Sequence, residues 1–148
     1  MSIPFSKRWR TARKYNAIMH RAISTFDAQY KLLKLVGKNI ETKKGINKRA
    51  LGYLDGFIKA AMREKQLDIA SEPAFAVFRM IYERVFEKEA GENYLGYSTD
   101  SISDDETQNG VEIGAFDFSF WSQTGREPKG WYGCFRDEDE KAAKANME

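Results

Sequence analysis

Between Ser6 and Gly37, apolar residues return every third or fourth position: Ala12, Tyr15, Met19, Ala22, Phe26, Tyr30 and Leu33. At 3.6 residues per turn this spacing draws one stripe along a helix. It predicts a helix over residues 7–36, with Ser6 as its N-cap and Gly37 ending it. Such a helix is about 45 Å long, enough to span a small domain, so the rest of the chain must pack along it. Helical winding places Arg10, Lys14 and Arg21 opposite the stripe, with Arg13 and Lys31 flanking. The expected helix is amphipathic with a basic outer face.

Two further helices follow from the same periodicity. Over residues 47–66, Leu51, Leu54, Ile58 and Ala61 mark a buried face that Tyr53, Phe57 and Met62 widen. Gly52 and Gly56 each cost about 1 kcal/mol of helix propensity relative to alanine. Four residues apart, they share a face and admit another backbone at close range. A tight intramolecular crossing is the simpler reading, and a small-residue dimer seam is the alternative. Over residues 72–90, Ser71 serves as N-cap, Pro73 is tolerated in the first turn and Gly91 marks the stop. Phe75, Phe78, Tyr82 and Val85, broadened by Val77, Ile81 and Phe86, make this the central core helix.

After Gly91 the pattern changes. Residues 92–110 are rich in Ser, Thr, Asp, Asn and Gly and read as a long surface loop, with room for a short strand at 94–97. Val111, Ile113 and Ala115 then alternate with Glu112 and Gly114. Phe116, Phe118 and Phe120 alternate in the opposite phase, which implies a break after Gly114. A turn over 123–130 separates them from Trp131–Phe135. The expectation is a C-terminal β-hairpin, about 111–122 and 131–136, packed on a bundle of three helices. The predicted class is α+β, mainly α: a single domain over 1–136 and an acidic tail over 137–148.

Of the 148 residues, 42% are hydrophobic and 14% aromatic, which supplies a core and argues against global disorder. One cysteine, Cys134, excludes an intramolecular disulfide and fits a reducing compartment. Neither a signal peptide nor an apolar run of membrane-spanning length stands out, so the expected location is cytoplasmic and no membrane partner is expected.

Catalytic motifs are sparse. His20, the single histidine, lies beside the apolar stripe, where a half-exposed structural role is the simpler account. Cys134 has no second cysteine at metal-ligand spacing. The segment Asp105-x-Thr107-x-Asn109-Gly110 matches the start of a calcium loop, but Phe116 stands where the bidentate acid belongs. Glu83 and Glu87 share a helix face and could join Asp104 or Asp105 around a divalent cation, although solvated surfaces explain all four. Phosphate-binding glycine loops and nucleophile elbows are absent from the sequence. No metal or cofactor is expected, and a carboxylate or divalent-metal enzyme ranks last.

Charge carries more information. Residues 1–66 hold 16 Lys and Arg against 4 Asp and Glu, a net +12; residues 67–148 hold 8 against 18, a net −10. Such asymmetry points to a charged partner or to mutual attraction of the two halves. The candidate polyanion-binding residues are Arg10, Arg13, Lys14 and Arg21 of the first helix, with Lys43 and Lys44 before the second helix and Lys48 and Arg49 at its start. Lys7 and Arg8 lie in the same run, and Trp9 reads there as a hydrophobic staple. The expected function is that of a small non-enzymatic binding or regulatory protein whose basic helical face engages nucleic acid or an acidic protein. The alternative is an inhibitor or adaptor acting through its acidic, aromatic C-terminal region, with Trp131 and Tyr132 beside the turn as partner-binding anchors.

Overall fold

The structure, a computed structural model, describes residues 5–136 and the side chains of residues 6–136. The acidic tail expected over 137–148 lies outside the described residues. Of the described residues 78% are helical. The order is α1 (Phe5–Leu35), β1 (Glu41–Thr42), β2 (Gly45–Ile46), α2 (Lys48–Glu64), α3 (Glu72–Phe86), α4 (Lys88–Asp100), α5 (Asp105–Thr124) and α6, residues 130–136.

The predicted α+β class is overturned. The segment read as a hairpin is α5 followed by α6, and much of the expected loop is α4. The described strands form one two-residue ribbon between α1 and α2, pairing Glu41 with Ile46 and Thr42 with Gly45. The difference has a physical source. Alternation across 111–120 imitates a strand, but Thr107, Gly110, Gly114 and Phe118 are buried at the three- and four-residue spacing of a helix. Asp104 precedes the first turn of α5, Asp105 and Glu106 complement its dipole, and Gly125 closes it in the left-handed conformation at φ 74°.

Two more boundaries differ from expectation. Ser6 lies inside α1 rather than capping it, because the helix begins at Phe5. The third helix breaks at Glu87 (φ 71°, ψ 159°), not after residue 90. Gly91 does not stop a helix: it sits within α4, where a Cβ would stand 2.5 Å from the Tyr82 carbonyl oxygen. Its missing side chain lets α4 fold back against α3.

Two glycine pairs fix the closest crossing. A Cβ on Gly52 would lie 2.1 Å from the Thr107 carbonyl oxygen, and one on Gly56 would lie 2.1 Å from that of Val111. Reciprocally, Gly110 and Gly114 of α5 meet the carbonyl oxygens of Arg49 and Tyr53, again at 2.1 Å from a built Cβ. Each helix therefore rests backbone carbonyls on the bare Cα atoms of the other. Contacts of this kind add dispersion and weak Cα–H···O attraction. The helices run parallel: Lys48 pairs with Asp104 at 2.7 Å at one end, and the Ser122 hydroxyl donates to Glu64 at the other. The crossing anticipated from Gly52 and Gly56 is thus intramolecular.

The core is aromatic. Phe26 of α1 meets Phe57, Trp131 and Tyr53 edge-on, with centroids 4.9, 5.1 and 6.1 Å apart. Tyr30 packs edge-on against Phe86 at 4.9 Å. Asp117 ties three helices: its Oδ2 accepts from the Tyr53 hydroxyl at 2.6 Å and from the Gly130 amide at 3.0 Å. Burial and the adjoining carboxylate push the Tyr53 phenol well above its ordinary pKa.

Candidate nucleic-acid interface

The buried line of α1 begins at Tyr15 and continues through Ile18, Ala22, Phe26, Tyr30 and Leu33. Ala12, expected on that stripe, is exposed. Tyr15 meets the start of α3, where its hydroxyl and the Ser71 hydroxyl are 2.9 Å apart. N-terminal to it, only Thr11 among residues 6–14 is even partly covered. About two and a half turns of α1 therefore overhang the bundle.

This arm carries Lys7, Arg8, Arg10, Arg13 and Lys14, all exposed, and the sequence holds no Asp or Glu before Asp27. Trp9 stands among them at 55% exposure, with the Arg13 guanidinium 4.7 Å from its ring centroid. Trp9 is not buried as a staple. The Arg10 Nε donates to the Ser6 carbonyl within the same helix at 3.3 Å. Among the described residues none of these five cations makes an ion pair.

Elementary helix electrostatics opposes such an arm. Lys7 and Arg8, in the first turn, face the positive end of the helix dipole, and α1 has no acid there. Arg10 and Lys14, four apart, repel one another, as do Lys7 and Arg10, three apart. The arm's composition is thus poorly suited to stabilising itself.

Further along α1, the Arg21 guanidinium lies 3.8 Å from the ring centroid of Trp121, which α5 brings to α1. Arg21 also borders a cleft of about 60 Å³ with Lys65 and Glu64 at the end of α2. The cationic stripe thus runs from the arm to a guanidinium stacked on an indole. The local pattern places Trp121 in the expected hairpin, and no local signal links it to Arg21, one hundred residues earlier.

The other predicted basic residues do not join this surface. Lys43 and Lys44 sit at the β1–β2 turn, beyond the opposite end of α1, while Lys48 is paired with Asp104. Arg49 is half-buried and already engaged. The eight candidates therefore divide among the α1 stripe, the ribbon and the start of α2.

The aromatic anchors also change. Trp131 is fully buried, and its Nε1 donates to the Ala50 carbonyl at 2.9 Å. It is a core residue, not an exposed anchor. Tyr132 is half-buried. The exposed aromatics of this region are Phe116 and Phe120, with centroids 6.5 Å apart on the outer face of α5.

His20 is exposed on α1 whereas Cys134 is buried in α6. Glu83 and Glu92 each hold Arg79 at 3.0 Å. Among the described residues no group of three or more His, Cys, Asp or Glu is placed to hold a metal ion, and no helix is long and apolar enough to cross a membrane.

No protein-family model matches the chain, and no curated protein or solved structure matches it either.

Proposed function

We propose that the chain is a non-enzymatic nucleic-acid-binding protein that grips the phosphate backbone with the overhanging arm of α1. One observation supports this reading: Lys7, Arg8, Arg10, Arg13 and Lys14 are exposed on α1, and among the described residues none of them makes an ion pair. A polyanion supplies the missing counter-charge and relieves the repulsion along the arm. Trp9 and the Arg21–Trp121 pair add aromatic and guanidinium faces for stacking unpaired bases. Contacts of this composition favour weak sequence dependence and strong salt dependence. The single thiol fits action in a reducing, cytoplasmic setting.

Fluorescence anisotropy with a labelled oligouridylate and with a labelled DNA duplex, from 50 to 300 mM salt, tests this. Binding weakens with salt. In R10Q/R13Q/K14Q the slope of log K against log salt becomes shallower by about 2 for a single strand, from three lost contacts at about 0.7 each. Absence of binding to both probes at about 50 mM salt, or an unchanged slope in the triple variant, overturns the proposal.

A further inference from the structure

Helix α2 is buried at every position from Ala50 to Ile58, and the one charged residue in that run is Asp55. Asp55 is 8% exposed. The Lys59 ammonium lies one helical turn on, 2.9 Å from Asp55 Oδ2, and is itself partly exposed. The contact is close but poorly directed, and Oδ2 lacks an aligned hydrogen bond. Burial of a carboxylate is fully offset only where the partner's geometry is good and its remaining lone pairs are satisfied, and here Oδ2 has one poorly directed partner. The buried acid is thus incompletely compensated within the fold.

Asp55 and Lys59 border a pocket of about 220 Å³ whose walls include Phe78, Leu95 and Thr99, with Phe75 at 59% exposure. Engineered apolar cavities of about 150 Å³ accept a single benzene ring, so this pocket has room for one ring and a short polar arm. Burial holds the Asp55 carboxyl above its ordinary pKa, against the pull of Lys59 and Arg63. Partly desolvated carboxylates in clefts are characteristic of binding sites.

We infer that this pocket binds a small organic cation, a primary ammonium on a single-ring apolar body, with Asp55 holding the ammonium and Lys59 as the resident group it displaces. The ring lies between Phe75, Phe78 and Leu95. Lys59, whose side chain is partly exposed, turns to solvent as the ligand's ammonium takes its place.

Titration of 2-phenylethylammonium chloride into ¹⁵N-labelled protein, followed by amide shifts, tests the site. The neutral isostere 2-phenylethanol serves as the comparison. The expected result is saturable shifts confined to Phe75, Phe78, Leu95, Thr99 and their neighbours, with the alcohol at least about tenfold weaker. K59A tightens amine binding about fivefold or more by removing the competitor, and D55N weakens it about tenfold or more. A gain of affinity in K59A cannot arise from misfolding, so that variant decides the matter even if D55N folds poorly. Equal binding of amine and alcohol, no tightening in K59A, or no saturable binding of the amine to K59A overturns the inference.

Discussion

The α2–α5 seam and the α1 arm are opposite solutions to the same requirement, that a helix be given something to lie against. In the seam, Gly52, Gly56, Gly110 and Gly114 leave no side chain between the two backbones at their closest points, and each helix rests its carbonyls on the other. Their summed propensity cost, about 1 kcal/mol each, makes sense only because the partner's carbonyls occupy the space. The arm has the reverse character: long, exposed charged side chains that make no ion pair among the described residues. Folding accounts for each seam residue and for almost none of the arm's. What a fold leaves unexplained is where a partner is to be sought.

The largest expected effect is in the seam. Gly110→Ala places a Cβ 2.1 Å from the Arg49 carbonyl oxygen and 2.9 Å from the Tyr53 amide nitrogen, both backbone atoms of a buried helix. Neither can yield by a rotamer change, so the helices must separate. The expected loss is about 3 kcal/mol or more, a fall in Tm of about 10 °C. Gly96→Ala is the control: it lies within α4 with nothing inside 4 Å of the built Cβ. There the substitution raises stability by about 0.5–1 kcal/mol through helix propensity alone. Thermal melts of the two variants side by side check the sign as well as the size. Equal and mild responses would mean that the seam is looser than its geometry states.

How much of this was legible depended on whether the deciding partner was local. The end of α1 was visible because Gly37 carries its own signature. It adopts φ 81°, and the Lys38 amide reaches back to the Leu33 carbonyl at 2.9 Å. Ser71 was visible as a cap for the same reason: its hydroxyl accepts from the Ala74 amide at 3.2 Å, three residues on. Helix α5 was hidden because its helical character depends on α2, more than fifty residues earlier. Locally, Phe116, Phe118 and Phe120 look like one face of a strand. In the structure Phe118 points inward while Phe116 and Phe120 face solvent. For the interface, the arm's charge was readable and its isolation was not. Overhang is a property of where the other helices stop.

A smaller effect is expected at the joint between α3 and α4. Glu87 holds φ 71° and ψ 159°, a region essentially reserved for glycine, and its carbonyl accepts from the Gly91 amide at 2.7 Å. Glu87→Gly relieves that conformation while adding freedom to the unfolded chain. The net gain is about 1 kcal/mol. Glu87→Ala keeps the Cβ and therefore gains nothing. Urea melts separate the two, and equal gains in both would place the effect in the lost carboxylate instead of the backbone.

The smallest effect on stability belongs to the arm, and it is the most diagnostic. R10Q/R13Q/K14Q removes three of the five arm cations without touching a buried residue. Exposed substitutions of this kind fall within about 0.5 kcal/mol. The sign is favourable where like-charge repulsion among Lys7, Arg10, Arg13 and Lys14, three or four positions apart, outweighs the lost Arg13–Trp9 contact and the Arg10–Ser6 hydrogen bond. Because these terms are screened by salt, the gain measured at 20 mM NaCl shrinks towards zero at 1 M. The deficit of Gly110→Ala, being steric, stays constant across the same series. A marked loss of stability in the triple variant would show the arm's cations to be satisfied within the molecule, and the seam and the arm would then differ in degree only. Stability retained together with impaired nucleic-acid binding assigns those cations to a partner, because they would have no remaining work in the fold.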